Sequence, residues 1–399
     1  MKKICCLVLA LCLLLTVCTA FADEREEDLA AIEKVIAAIQ EGDLEAGIPV
    51  LKELADGGSS MAQMLLGSCY STGTGVEQSD TEMARYYKLA ADQGNIPAKN
   101  RLAACYLFGT GVEQDTELAE KLYLECSEAG DTDALYTLGY CYLYGIGLTQ
   151  DYEKAVKYLQ MAANDGIEPA LYYLGFCLEN GYGVEQDYGK AVEAYLKAAD
   201  NGLDAAQYRL GVLYQLGTGV EQDYEKAFHY YSLAAEQEYP EALTALGFFY
   251  GQGLGTEQNL EEMLKYYTLG AEHGEPMAQF NLGCCYRDGV GVEQNYDEML
   301  KYYNLAVEQE NAEAQFNLGF CYYTGMGVEQ DDAEAFRLYQ LAANQGFPVA
   351  MFATGDCYYL GRGVEQDYQQ AAEWYLKSLN AGYTPDEEDQ KHIVDVAGK

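Results

Sequence analysis

Positive charge is scarce in this sequence. Its 399 residues include 24 lysines and arginines against 64 aspartates and glutamates, so the formal net charge is −40. A surface of this sign repels phosphates and anionic lipid headgroups. We therefore expect no nucleic-acid partner, and we expect a protein or peptide partner to be neutral or basic.

Histidine is rarer still, and the usual residue patterns of catalytic and metal sites are missing. The three histidines, His229, His273 and His392, show neither H-E-x-x-H nor another metal-binding spacing. The recurrent Gly-x-Gly loops lack the third glycine of a dinucleotide site, and they hold too few acids for an EF-hand calcium site. The sequence predicts no catalytic residue, no metal and no cofactor.

Long apolar runs are confined to the start of the chain. Two lysines precede the apolar stretch Ile4 to Val17, and Ala20 to Ala22 has the small-x-small pattern of a cleavage site. This order is typical of a secretory signal peptide, and the stretch is too short for a membrane anchor. A lipoprotein anchored at Cys18 is the alternative, although a valine and not a small residue precedes that cysteine. We expect a periplasmic or extracellular mature chain without membrane insertion.

A motif close to Gly-x-Gly-Val-Glu-Gln recurs through most of the chain. Its first glycines are Gly73, Gly109, Gly145, Gly181, Gly217, Gly253, Gly289, Gly325 and Gly361, and every interval is 36 residues. Such an invariant period predicts nine structural repeats that stack on one another.

Each repeat contains the pattern of two helices. The first carries an alanine, then Leu-Gly four and five residues later and an aromatic residue at eight, as in Ala314 to Tyr322. These positions share a helix face, and the Gly-x-Gly turn ends the helix. The second helices open at good N-cap residues, namely Ser79, Asp115, Asp151, Asp187, Asp223, Asn259, Asn295, Asp331 and Asp367. Four repeats hold a glutamate at the capping-box position: Glu82, Glu262, Glu298 and Glu334.

The repeat resembles that of the Sel-one-like repeat family, a branch of the tetratricopeptide-like helical solenoids. Residues Ala206 to Ala235 carry the family motif through Leu210-Gly211, Tyr214, Gly217, Gly219-Val220, Asp223, Lys226-Ala227, Tyr230-Tyr231 and Ala234-Ala235, and Trp374-Tyr375 gives its Trp-Tyr version. The resemblance extends from about Ser59 to Gly382. The departures are single substitutions: Ala103 for glycine, Thr354 for leucine, and Met263 and Met299 for alanine.

The repeats and the resemblance predict an all-α, right-handed α/α solenoid with helical caps. The expected organisation is a signal peptide (1–22), an N-terminal helical cap (23–58), nine tandem repeats (59–382) and an acidic C-terminal tail or capping helix (383–399). We expect this chain to be monomeric.

Cysteine occurs at one repeat position seven times, at Cys69, Cys105, Cys141, Cys177, Cys285, Cys321 and Cys357. A disulfide ladder or a metal array is one interpretation. Equivalent helices of adjacent repeats should lie about 8–10 Å apart, too far for bridging, so we favour buried, reduced thiols. Some secreted relatives carry two cysteines per repeat, a pattern that this chain lacks. Cys284, one position away, is the best candidate for an exposed thiol.

Variable positions of the first helices form the candidate binding surface, because solenoids of this type line their concave face with the first helix. Counted from the repeat alanine, positions +3, +6 and +10 supply the predicted partner-binding residues Arg101, Tyr140, Tyr144, Tyr173, Phe176, Asn180, Arg209, Phe248, Asn281, Asn317 and Phe320. Exposed aromatic and arginine side chains suit peptide or carbohydrate binding. The alternative is that packing between repeats buries them.

Together these observations predict a non-enzymatic scaffold or adaptor that binds a partner protein or peptide along its concave surface. The alternative is a cell-wall or carbohydrate-binding protein that uses the same aromatic side chains. A third possibility is a β-lactam hydrolase, an activity linked to some cysteine-rich relatives. It is the least favoured, because the sequence contains neither S-x-x-K nor K-T-G.

Overall fold

The structure, a computed structural model, describes residues 26–41 and 44–398. The predicted signal peptide, residues 1–22, lies outside the described residues. In the described ranges the chain forms 21 α-helices and no β-strand, so the all-α prediction is confirmed. No helix in these ranges combines the length and the apolar character needed to cross a membrane.

The helices follow the predicted order of caps and helix pairs. The cap helices are α1 (Glu26–Glu41), α2 (Leu44–Asp56) and α21 (Glu387–Ala397). The first helices of the nine repeats are α3 (Ser60–Thr72), α5 (Ile96–Phe108), α7 (Thr132–Tyr144), α9 (Glu168–Asn180), α11 (Asp204–Leu216), α13 (Pro240–Gln252), α15 (Pro276–Asp288), α17 (Ala312–Thr324) and α19 (Pro348–Leu360). The second helices are α4 (Asp80–Ala91), α6 (Thr116–Glu128), α8 (Tyr152–Asn164), α10 (Tyr188–Asp200), α12 (Tyr224–Glu236), α14 (Leu260–Glu272), α16 (Tyr296–Glu308), α18 (Asp332–Asn344) and α20 (Tyr368–Asn380).

The repeats fall into two compact units. The N-terminal unit ends at Asn201 and the C-terminal unit begins at Gly202. Within the N-terminal unit, α1 to α10 pack each on the next, and within the C-terminal unit α11 to α21 do the same. Each unit is therefore a stack of helix pairs, as a solenoid requires.

The Gly-x-Gly turn has two separate roles, and Gly109 and Gly111 show both. Gly109 ends α5 with a left-handed φ of 69°, and its amide donates to the carbonyl of Cys105. Gly111 has a φ of 72°, and a Cβ there would overlap the backbone carbonyl of Asp80 in the preceding repeat. The second glycine is thus required by packing between repeats as well as by its own backbone conformation.

All nine predicted N-cap residues of the second helices accept a hydrogen bond from a backbone amide of the first turn. The glutamates at the capping-box position bind elsewhere. Glu82, for example, lies 2.8 Å from Arg85, and Glu262, Glu298 and Glu334 pair in the same way with a basic residue three positions on. The reason is that the N-cap amide already donates to the preceding helix, as from Ser79 to the Tyr70 carbonyl at 3.1 Å.

Within each repeat, the glycine of Leu-Gly allows a tyrosine of the second helix to pack against the first. A Cβ on Gly211 would lie 2.5 Å from the ring of Tyr231, which is fully buried. The seven repeat-position cysteines are buried and unbridged, as is Cys126, so the predicted small apolar role is confirmed. Burial raises the pKa of these thiols, for Cys177 to about 12.

The C-terminal helix α21 closes the last repeat. Nδ1 of His392 lies 2.9 Å from an Asp356 carboxylate oxygen, which also accepts a 2.7 Å hydrogen bond from Tyr375. Tyr359 donates to Asp395 at 2.6 Å. Two of these contacts join α21 to α19, and the third joins α19 to α20, in the manner of the helical cap that we expected at this end.

Candidate partner-binding face

The variable residues of the first helices lie at positions +2, +3, +6 and +10 after the repeat alanine. Positions +2, +6 and +10 are successive turns of one helix, so they form a continuous stripe. We call these four positions the first-helix face. None of the eleven predicted partner-binding residues is buried: Arg101, Tyr144, Asn180, Phe248 and Phe320 are exposed, and Tyr140, Tyr173, Phe176, Arg209, Asn281 and Asn317 are half-buried.

In the N-terminal unit, five tyrosines of α7 and α9 meet on this face. This tyrosine cluster consists of Tyr136, Tyr140, Tyr144, Tyr172 and Tyr173. The Tyr140 ring lies 4.9 Å from that of Tyr144 and 5.1 Å from that of Tyr173, centroid to centroid. Tyr173 therefore links two neighbouring repeats, because it lies between the tyrosines of α7.

The cluster is partly desolvated. Burial, followed by the neighbouring tyrosines, raises the pKa of Tyr144 to about 12. The same two causes raise the pKa of Tyr173, and burial also raises that of Tyr136. The phenols of Tyr136, Tyr144 and Tyr173 are thus neutral at physiological pH, and they offer O–H donors and aromatic edges.

Two members of the cluster, Tyr136 and Tyr172, were not among the predicted residues. Both occupy position +2, whereas the prediction took only +3, +6 and +10. The sequence did contain a signal for Tyr136, because Tyr136, Tyr140 and Tyr144 follow one another at intervals of four residues and so share one side of a helix. The contact of Tyr173 with α7 depends on the stacking of repeats, which the spacing within one helix cannot give.

The other predicted residues of the N-terminal unit take no part in the ring contacts of the cluster. Phe176 packs against Tyr182 in the following turn, with centroids 5.7 Å apart. Asn180 donates to the Phe176 carbonyl at 2.8 Å, so its side chain caps its own helix. Arg101 is exposed on α5. Asn180 is therefore better explained by local structure than by binding.

In the C-terminal unit, the predicted residues are spread over several repeats. Phe248 and Phe320 present exposed rings at position +6 of α13 and α17. Asn317 accepts a 2.8 Å hydrogen bond from Arg287, whose guanidinium also binds Asp288. Arg287 was not among the predicted residues. Its charge neutralises that of Asp288. Arg209 and Asn281 are half-buried on α11 and α15.

Cys284 lies at position +6 of α15. Its thiol is half-buried, 3.3 Å from the hydroxyl of Tyr303, and burial raises its pKa. It is the most accessible of the described cysteines, although less so than predicted. No group of three or more His, Cys, Asp or Glu in the described ranges could hold a metal ion.

The chain is similar to proteins built from one known repeat. The model of the Sel1 repeat matches nine times, at residues 60–95, 96–131, 132–167, 168–203, 204–239, 240–275, 276–311, 312–347 and 348–383. A search of curated proteins finds no significant match.

Two crystal structures of similar proteins cover most of this chain. One is a protective antigen present in uropathogenic Escherichia coli strains displaying an SLR fold, with 27% identity over 93% of this chain and 91% of that chain, and a TM-score of 0.62. The other is a Sel1 repeat protein from Oxalobacter formigenes, with 29% identity over 78% of this chain and 89% of that chain, and a TM-score of 0.60.

Sel1 repeat proteins are generally protein-interaction scaffolds, and their fold is typically non-catalytic. The matches run without interruption from residue 60 to residue 383. Their boundaries coincide with the helix pairs of the structure. The chain belongs to the Sel1 repeat family.

Proposed function

We propose that this chain is a secreted, non-catalytic scaffold that binds a partner protein or peptide on the first-helix faces of its two units. The observation that carries the proposal is a contrast within each first helix. In each first helix the repeat alanine, the residue at the glycine position and the residue at position +7, usually cysteine, are buried. None of the eleven predicted partner-binding residues is buried. Residues that vary and stay accessible on a rigid scaffold are where recognition is expected.

Secretion is supported by the order of residues before Asp23, which matches a signal peptide. The partner is expected to be neutral or basic, because a net charge of −40 repels acidic surfaces and steers basic ones. We expect a monomeric scaffold whose affinity comes from many shallow contacts, with aromatic side chains as anchors.

The test compares two triple variants of residues 23–399 in pull-downs from the envelope fraction of the producing organism. The face variant carries Tyr144→Ala, Phe248→Ala and Phe320→Ala, which remove side chains that are 45%, 42% and 41% exposed. The control variant carries Met161→Ala, Leu305→Ala and Leu341→Ala, which remove equally apolar side chains of second helices that are 40%, 37% and 38% exposed.

We expect a protein that the parent and the control variant capture and that the face variant loses, because removal of central aromatic anchors costs roughly 2 kcal/mol or more each. Circular dichroism must show equal helix content in all three proteins. Capture that is retained by the face variant and lost by the control variant would place binding on the second helices and overturn the proposal.

Carbohydrate binding is the second candidate, favoured by the exposed rings of Tyr144, Phe248 and Phe320. It predicts retention on insoluble cell-wall material that is independent of salt, since sugars carry no steering charge. Protein binding to a basic partner predicts the opposite, with weaker capture at high salt. Incubation with a chromogenic β-lactam tests the least favoured candidate, hydrolysis.

A further inference from the structure

The tyrosine cluster consists of side chains without charge in a strongly acidic chain. The groups that shift the pKa values of Tyr136, Tyr144 and Tyr173, apart from burial, are other tyrosines and the thiols of Cys141 and Cys177. No carboxylate, ammonium or guanidinium group is among them. The neighbouring phenols therefore affect these three pKa values more than any charged side chain does, and we expect the segment that contacts the cluster to be uncharged.

The cluster also offers hydrogen-bond donors. The hydroxyls of Tyr140 and Tyr144 make no hydrogen bond to another residue that the structure describes, and Tyr144 is exposed. Phenol groups at this position suit a ligand with a row of free acceptors. A peptide in the polyproline II conformation has such a row, because none of its carbonyls is used internally.

The ring geometry favours a peptide over a sugar. The planes of Tyr140 and Tyr173 meet at 74°, and those of Tyr144 and Tyr173 at 85°, so these rings contact one another edge to face. Each such contact occupies part of an aromatic face on which a sugar ring would stack, whereas proline-rich segments dock between aromatic side chains that line a groove. The mutual edge-to-face contacts also hold the rings in place before binding.

We propose that the tyrosine cluster binds an uncharged, proline-rich segment in the polyproline II conformation whose flanks are basic. This inference rests on the proposed function and names the class of partner for the N-terminal unit. The proline rings pack among Tyr140, Tyr144 and Tyr173, and the two free hydroxyls donate to the peptide carbonyls. The basic flanks complement the net charge of −40 around the neutral cluster.

The experiment measures fluorescence anisotropy of labelled synthetic peptides with residues 23–399. The probe has six prolines between two pairs of lysines, and the matched peptide has six glycines in place of the prolines. We expect saturable binding of the proline peptide, with a Kd on the order of 100 µM for so small a ligand. The glycine peptide should bind at least about tenfold more weakly, because it has the same charge without the preformed conformation.

A double variant, Tyr140→Phe with Tyr144→Phe, removes the two hydroxyls and keeps the rings. We expect it to bind the proline peptide about tenfold more weakly, since each lost hydrogen bond contributes modestly. Tyr188→Phe is the control, because this tyrosine is exposed on α10, outside the cluster. It should bind as the parent does.

Three results would overturn the proline assignment. They are equal binding of both peptides, unchanged binding of the proline peptide by the double variant, or binding of a chitin hexasaccharide when neither peptide binds. Failure here remains distinct from failure of the scaffold. If no peptide binds while the three-alanine face variant still loses its captured protein, the scaffold stands and the proline-rich class is wrong. If that face variant also keeps every captured protein, the first-helix face itself is wrong.

Discussion

The N-terminal and C-terminal units are built from the same repeat, yet their first-helix faces differ in chemistry. The N-terminal unit gathers five tyrosines in one neutral cluster. The C-terminal unit presents single exposed rings, Phe248 and Phe320, and polar side chains such as Arg287 and Asn317 that bind each other. The buried positions define the scaffold, and the variable positions define what each unit can recognise.

The polar links between helices can be compared as well. In the C-terminal unit, a buried glutamine of a first helix pairs with a glutamine in the loop that ends the same repeat, as in Gln315 with Gln345 at 2.8 Å. Two further pairs, Gln207 with Gln237 and Gln279 with Gln309, repeat this bond there. The N-terminal unit has one such pair, Gln63 with Gln93. Ion pairs occur in both units: Lys99 with Glu125 lies within one repeat, whereas Lys154 with Glu120 and Arg362 with Asp332 join neighbouring repeats.

The largest expected effect tests what the two units share. Gly111→Ala and Gly363→Ala each force a Cβ into a backbone carbonyl of the preceding repeat, at a left-handed φ of 72°. We expect each to lower the free energy of unfolding by roughly 3 kcal/mol or more. The measurement is urea unfolding followed by circular dichroism.

The matched controls are Gly94→Ala and Gly346→Ala, which have a φ of 90° and 92° and open space around the new Cβ. Each control should lower the free energy of unfolding by only about 1 kcal/mol, because it strains the backbone without a clash. Equal costs at the test and control positions would show that the contact between repeats is unimportant. A large difference between the two units would contradict a shared scaffold.

The next effect separates the two kinds of link. Gln345→Leu leaves the buried Gln315 amide oxygen without its donor, so we expect a loss of about 1–3 kcal/mol that salt does not change. Lys154→Met removes a partly exposed ion pair and should cost less than about 1 kcal/mol at low salt.

High salt should remove most of the Lys154→Met effect, because screening weakens the parent's ion pair. The check is the same urea unfolding at low and high sodium chloride. If the destabilisation by Gln345→Leu falls with salt, or that by Lys154→Met does not, the distinction between the two kinds of link is wrong.

A smaller effect is the opposite response of two carboxyls to pH. Burial raises the pKa of Glu120, but hydrogen bonds from Tyr142 and Tyr158 and the charge of Lys154 outweigh it, so the pKa falls below its usual 4.5. Its contribution to stability is present above that value and is lost as the pH falls through the lowered pKa. The cost of Glu120→Gln should therefore grow from acid to neutral pH.

Asp356, at the C-terminal cap, should behave in the reverse way. Burial raises its pKa above the usual 3.8, although Tyr375 and His392 partly oppose this. Its contribution is present below 3.8 and is lost as the pH rises through the raised pKa. The cost of Asp356→Asn should shrink from acid to neutral pH, and Glu113→Gln, in an exposed loop, is the control. Parallel profiles for Glu120→Gln and Asp356→Asn would contradict the assignment.

The smallest effect concerns thiol accessibility. The described cysteines of the N-terminal unit, Cys69, Cys105, Cys126, Cys141 and Cys177, are all buried, whereas Cys284 in the C-terminal unit is half-buried. We expect a thiol reagent to modify Cys284 alone in the native protein, and slowly, because its raised pKa leaves little thiolate. Mass spectrometry of the labelled peptides checks this, with Cys284→Ser as control. Rapid labelling of Cys177 would show that its repeat opens.

The 36-residue period was enough to predict the helix pairs, their N-caps and the buried cysteines, because each depends on contacts within one repeat or its nearest neighbour. The first-helix face was predicted in part. Tyr173 could be chosen by its position, but its contacts with Tyr140 and Tyr144 depend on how repeats stack. The role of Asn180 as a helix cap and the partners of Arg287 depend on side-chain conformation, which spacing does not encode.

The contact of Gly111 with the Asp80 carbonyl has a consequence for how this chain can change in length. It joins a glycine to a backbone carbonyl, so it does not depend on which side chains the neighbouring repeat carries. The same junction recurs at Gly183, Gly255 and Gly363. Where the junction has this form, whole repeats could therefore be duplicated or deleted without redesign of it, whereas a single-residue insertion in a loop would shift its glycine off the carbonyl. The chain is in this sense assembled from interchangeable modules of fixed length, each free to bring its own recognition residues.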